Sequence, residues 1–118
     1  MSQFTIYHNP RCSKSRQTLQ LLQDNGVEPR VIEYLKTPPS AADVLSIAAS
    51  LEQPVSAILR TKEDEYKQLN LASFTGDDAA LAALVAEYPK LLERPIVVRH
   101  SDQAARIGRP PELVLELL

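Results

Sequence analysis

A single cysteine, Cys12, stands in the run His8-Asn9-Pro10-Arg11-Cys12-Ser13-Lys14-Ser15-Arg16, between a short apolar segment and a helical one. A thiol at the point where a strand turns into a helix meets unpaired backbone N–H groups and the positive end of the helix dipole. Both favour thiolate over thiol. With no second cysteine in the chain, any disulfide Cys12 forms must be with another molecule. A lone buried thiol is common in protein cores, but Arg11, Ser13, Lys14, Ser15 and Arg16 are polar or charged, so this turn is expected to face solvent with a nucleophilic sulfur. Ionisation alone gives little rate. A thiol of ordinary pKa, about 8.5, is roughly 3% ionised at pH 7. Ionising most of it gains about 25-fold in thiolate, and the accompanying loss of nucleophilicity returns about eightfold.

The 118 residues suit one domain, expected to span 1–118, and the 44% hydrophobic content is ordinary for a globular chain. A net charge of −2 argues against nucleic acid or an anionic membrane as partner. Arginine outnumbers lysine by eight to five. That balance suits planar capture of small oxyanions, although it also falls within ordinary surface composition. No segment approaches the ~20 apolar residues that span a bilayer, and the N-terminus has no signal-peptide pattern. A single free thiol fits a reducing compartment, so the expected location is the cytoplasm. His8 and His100 are far apart in sequence and give no recognisable metal-ligand set with one cysteine, so no metal is expected.

The elements that must position Cys12 follow from periodicity. Phe4-Thr5-Ile6-Tyr7-His8 alternates as a strand with Phe4 and Ile6 on one face, and Asn9-Pro10 breaks it. Spacing from about Cys12 to Asn25 is helical, with Leu19 and Leu22 facing inward and Gly26 as its stop. Residues 30–35 read as a second strand, completing a βαβ unit with parallel strands. After Pro38-Pro39, Ser40 and Asp43 form a capping box opening a helix with Val44, Ile47 and Leu51 on one side. A short helix follows Pro54. Lys62 to Lys67 reads as a solvated face, and Asp77 or Asp78 caps a helix carrying Leu81, Leu84, Val85 and Tyr88. A third strand begins at Arg94-Pro95-Ile96-Val97-Val98, Gln103 to Ile107 forms its hairpin partner, and a closing helix is expected over Glu112 to Leu118. The pattern is α/β, with a helical insertion at about 40–90.

His-x3-Cys-x3-Arg after a first strand, then Arg60, Arg94-Pro-Ile-Val-Val and Gly108-Arg109-Pro110, closely resembles the glutaredoxin-coupled arsenate reductase family. The likeness runs nearly end to end and includes Tyr34-Leu35 and Ala57-Ile58-Leu59-Arg60. It implies a thioredoxin-like core with a four-stranded mixed sheet; separately, a monomer is expected. It also implies reduction of arsenate to arsenite through one cysteine, with glutathione as co-substrate and glutaredoxin as partner. By motif position Cys12 matches the nucleophile, and Arg60, Arg94 and Arg109 match the arginines around the oxyanion. Arg106 competes with Arg109 because the hairpin between Arg94 and Arg109 is two residues longer than in better-known members. Phosphatase-like arsenate reductases match poorly, since they need an arginine six positions after the cysteine, where Thr18 stands.

For each residue a bland role remains beside the chemical one. Singly, each arginine reads as a surface salt bridge; together they offset the repulsion between thiolate and oxyanion, at about 1.5–3 kcal/mol per charge-assisted hydrogen bond. Ser15 either donates its hydroxyl to the Cys12 thiolate or faces solvent. His8 either tunes the thiol when protonated or serves packing and capping. Asn9 suits the turn, with a side chain within reach of the anion, and Arg16 suits a nearby carboxylate. In thioredoxin-like folds a cis-proline precedes the third strand beside the cysteine, so Arg94–Pro95 is expected to be cis. Two alternatives use the same fold: a glutathione-dependent thiol transferase without arsenate activity, and an Spx-like regulator binding RNA polymerase. The latter senses oxidation with Cys-x-x-Cys, and Ser15 stands where its second cysteine would be.

Overall fold

The computed structural model describes residues 3–118. They fall into two compact units, one joining the segment up to Thr37 with Arg94–Leu118 and the other formed by Pro38–Glu93.

The first unit holds the strands. β1 (Phe4–His8), α1 (Ser13–Asp24) and β2 (Arg30–Glu33) are followed, in the second segment, by β3 (Ile96–Arg99) and β4 (Ala104–Ile107). The four-stranded sheet has the order β2-β1-β3-β4, with β1 parallel to β2 and antiparallel to β3, and β3 antiparallel to β4. This is the expected α/β architecture with a mixed sheet. Alternation works as anticipated: Ile6 and Val97 are partners across β1 and β3. They bury against Leu22 of α1 and against Val114 and Leu117, with Phe4 and Leu19 packed at the margin. Gly26, at φ +80, takes the left-handed conformation that ends α1.

Two boundaries differ from the sequence reading. β2 stops at Glu33 because the N–H groups of Lys36 and Thr37 both turn back to the Glu33 carbonyl at 2.9 Å, and Tyr34 is buried within that turn. The closing segment is a 3₁₀ helix, Pro111–Leu117, rather than an α-helix. Its buried residues, Pro111, Val114 and Leu117, recur every third position. Three residues per turn puts them on one stripe, facing α1 and β4.

The second unit is helical. α2 (Ala41–Ser50) opens on the expected capping box: Ser40 Oγ accepts from Asp43 N–H at 3.1 Å, and Asp43 Oδ2 accepts from Ser40 N–H at 3.0 Å. The helix after Pro54 is a 3₁₀ turn, Val55–Ile58. The charged stretch contains a short α3 (Asp64–Gln68) with no buried residue. α4 (Asp78–Glu87) is capped by Asp77 and packs on α2, burying Leu81 and Val85.

Candidate active site

Register brings the chemistry together. Tyr7 of β1 lies opposite Ile96 of β3, so continuing the antiparallel ladder carries Arg94 and Pro95 to the turn that follows His8. That turn is closed twice by Asn9: its carbonyl accepts the Cys12 N–H at 3.0 Å, and its Oδ1 accepts the Arg11 N–H at 3.0 Å. The Asn9 side chain therefore builds the turn instead of reaching toward an anion. Arg16 donates to the Pro10 carbonyl at 2.8 Å rather than pairing with a carboxylate.

Cys12 is the N-cap of α1, with extended backbone (φ −93, ψ 122) and a half-buried side chain. Its side chain makes no capping hydrogen bond of the kind Ser, Asp or Asn would supply. The thiol is nonetheless held below its ordinary pKa. Burial is the largest influence and pushes it up, but this is outweighed together by the Ser15 amide, the charge of Arg94, the Lys14 amide and a hydrogen bond from the Arg94 side chain. The two amides occupy the second and third helical positions, the donors an N-cap side chain normally engages.

Ser15 departs from both roles open to it. It is fully buried, and its hydroxyl lies 2.6 Å from His8 Nδ1 while accepting the Asn9 N–H at 3.0 Å. The backbone of Ser15, not its hydroxyl, acts on the sulfur. His8 is also buried, and its pKa is lowered by burial, with Glu33 pulling it up and Arg16 pushing it down. A neutral imidazole follows near pH 7, and its Nδ1 shares a short hydrogen bond with the Ser15 hydroxyl. The cation influencing Cys12 is accordingly Arg94, not His8. His8 and Ser15 pin the end of β1 to the first turn of α1.

The Arg94–Pro95 peptide is cis, matching the expectation, and so is Arg109–Pro110. Arg109 Nη1 donates to the Arg94 carbonyl at 3.3 Å, whereas Arg106 Nε is paired with Glu116 at 2.8 Å. Of the two competing arginines, Arg109 is the one in contact with Arg94. Arg60 lies in the helical unit, ion-paired with Glu63 and 3.9 Å from Glu93, its N–H bound to the Leu91 carbonyl at 2.7 Å. Gly108 is a feature the sequence reading used only as a motif letter. A Cβ there would come 2.5 Å from Thr18 Oγ1 and 2.9 Å from Pro95 Cγ, so α1, Pro95 and the end of β4 meet at a point with room for glycine alone. The Gly-Arg-Pro run was the signal, and what it lacked was the partner in α1.

Residues 7–117 match the model of the ArsC family. The chain belongs to the ArsC family. It is 52% identical to the uncharacterised protein YfgD of Escherichia coli (strain K12), over 98% of this chain and 97% of that one. It is 42% identical to an arsenate reductase of Yersinia enterocolitica, over the whole of this chain and 82% of that one. A solved structure described as an arsenate reductase from Vibrio cholerae superposes with a TM-score of 0.93 at 51% identity, covering 99% of this chain and 98% of that one.

As an ArsC-family fold, the strand unit thus gathers Cys12, His8, Ser15, Arg94, Pro95 and Arg109 around one turn. Among the described residues no cluster of three or more His, Cys, Asp or Glu is placed to hold a metal ion, and no helix is long and apolar enough to cross a membrane. A thiolate-favouring sulfur beside a guanidinium is suited to attack on an anionic electrophile that the guanidinium also binds.

Proposed function

We propose that this chain reduces arsenate to arsenite through Cys12, with glutathione and glutaredoxin as external reductants in the cytoplasm. The observation that carries the reading is the Cys12 thiol, kept below its ordinary pKa by the first-turn amides of α1 and by Arg94. The arsenate reductases among its relatives supply the substrate class. Arg94 and Arg109 bind the oxyanion. Arg60 enters this reading through the resemblance of its sequence position alone.

The Cys12 thiolate attacks arsenic and forms an S–As bond, while one arsenate oxygen leaves as water after protonation. Arsenic stays pentavalent in this step. The thiolate of glutathione then attacks the Cys12 sulfur. The S–As bond breaks with its electron pair going to arsenic, which departs as trivalent arsenite and leaves a Cys12–glutathione disulfide. The glutaredoxin thiolate attacks the glutathione sulfur of that disulfide and releases Cys12. Two thiols supply the two electrons, and external thiols are required because the chain has one cysteine.

A coupled assay following NADPH consumption with arsenate, glutathione and glutaredoxin tests this. Wild type should turn over, and Cys12→Ser should abolish the activity. Turnover with a glutathione mixed disulfide but none with arsenate would replace the reading by a thiol transferase.

A further inference from the structure

Beside the cysteine turn lies a cavity of about 230 Å³, lined by His8, Asn9, Pro10 and Arg11 from the turn after β1 and by Glu33, Leu35 and Lys36 from the end of β2 and the turn after it. All of these residues belong to the strand unit. Arg11 directly precedes Cys12, and its N–H is fixed on Asn9, so the lining reaches the residue adjoining the nucleophile. None of Cys12, Arg94 and Arg109, the residues of the mechanism above, lines the cavity.

Its polar groups are arranged by sign. Lys36 and Glu33 form an adjacent pair, 3.4 Å apart, with side chains 78% and 38% exposed. Exposed pairs of this kind hold each other weakly, and both partners exchange readily for a ligand's charges. Such a couple complements the ammonium and carboxylate of a free amino-acid end. Arg11, also in the lining, offers a planar cation for a second carboxylate. Leu35, 38% exposed, adds an apolar surface to the lining, and neutral His8 adds a polar contact without a charge.

Two carboxylates, one ammonium and a central thiol are the groups of glutathione. With its γ-linkage it extends somewhat beyond the roughly 10 Å of three ordinary residues. The cavity is below the roughly 300–1,000 Å³ of sites that enclose a drug-sized ligand, which suits a peptide lying across it with one face open. We propose that this cavity is the binding site for the peptide thiol. The γ-glutamyl end sits on Glu33 and Lys36, the glycine carboxylate sits on Arg11, and the central thiol is presented to the Cys12 sulfur. The inference rests on the reductase reading for its chemistry, but the binding itself is measurable without turnover.

S-methylglutathione, which lacks the reactive thiol, is titrated into the isotope-labelled full chain and followed by NMR. Saturable shifts of the Arg11, Glu33, Leu35 and Lys36 amides are expected. Lys36→Glu, a substitution at an exposed position, should weaken the dissociation constant about tenfold, the effect of losing one charge-assisted contact of about 1.4 kcal/mol. No binding, shifts confined to Cys12, Arg94 and Arg109, or an unchanged constant in Lys36→Glu would each overturn the cavity assignment while leaving arsenate reduction intact. Shifts at the cavity in a protein that shows no arsenate turnover would support the site and remove the reductase reading instead.

Discussion

Replacing Gly108 with alanine brings a methyl group 2.5 Å from Thr18 Oγ1, 3.0 Å from Thr18 Cγ2 and 2.9 Å from Pro95 Cγ. Neither partner is a loose chain end. Thr18 is fully buried, and its hydroxyl donates to the Lys14 carbonyl at 2.8 Å. Pro95 is a ring, and its carbonyl accepts the Gly108 N–H at 2.9 Å. Ordinary contact needs about 3.5 Å, so the Thr18 oxygen must retreat by roughly 1 Å into a packed core. Gly26 is the one glycine with positive φ, so the penalty at Gly108 is steric. Overpacking a core costs about 1–3 kcal/mol, and two stiff partners place Gly108→Ala at roughly 2–3. With about 2.1 cal/mol/K of unfolding entropy per residue, that is a fall in Tm of about 8–12 °C. Urea and thermal unfolding followed by circular dichroism measure it, together with Thr18→Ala and the double variant. Truncating Thr18 removes two of the three clashing atoms, so the double variant should be more stable than the summed singles predict, by about 1 kcal/mol or more. A Gly108→Ala protein within about 0.5 kcal/mol of wild type, or strict additivity, would refute the three-way contact.

Arg94→Ala should move Cys12 ionisation to higher pH, read from thiolate absorbance, and lower kcat/KM for arsenate about 10- to 150-fold, the equivalent of one charge-assisted hydrogen bond. Arg94→Lys should recover only part, because an ammonium cannot reproduce the planar fork. Burial lowers the His8 pKa in the folded state, so the unfolded chain binds that proton more readily; stability should fall as pH drops below about 6.5, and His8→Gln should lose that component of the urea-midpoint profile. The Asp102 carboxyl is held down to about 2, first by its hydrogen bond from Arg99 and then by the Ala104 amide. Its small contribution is present above about 4 and disappears as pH falls through 2, and Asp102→Asn should remove that difference in acid titrations of stability.

Alternation and capping made much of this fold legible. Phe4 and Ile6, the Ser40–Asp43 box and the Leu81–Val85 face are local patterns, and each formed where its spacing put it. The failures came where a tertiary partner decides. Periodicity could not distinguish an α-helix from a 3₁₀ helix over so short a closing segment, because the deciding feature is burial of every third residue on α1 and β4. β2 ends two residues before its pattern predicts, because Tyr34 is as apolar in a turn as in a strand. Cys12 was plain from the polar residues around it. The Ser15 hydroxyl was not: a serine in a first helical turn serves the cap, the solvent or the preceding strand equally well until the strand is placed. Its partner is the buried His8 ring, which no run of letters reveals.

The division of work around Cys12 follows from magnitudes. Amides of the first turn of α1 are local and come with any strand–turn–helix of this kind, yet raising thiolate alone improves reactivity only a few-fold once the loss of nucleophilicity is counted. An oxyanion approaching that thiolate meets like charge, and neutral amides carry no full positive charge to oppose it. In the proposed reaction that charge comes from Arg94, more than eighty residues later in the chain and already acting on the Cys12 thiol. The β1–β3 register delivers it, with Tyr7 against Ile96 setting which residue arrives at the turn. Slipping that register by one residue would present Glu93 or Pro95 at the same height and reverse the β3 side chains between faces. Reactivity of this thiol is therefore tied to correct pairing of two distant segments, and the buried Ile6–Val97 contact that enforces the pairing is as necessary to the chemistry as the guanidinium itself.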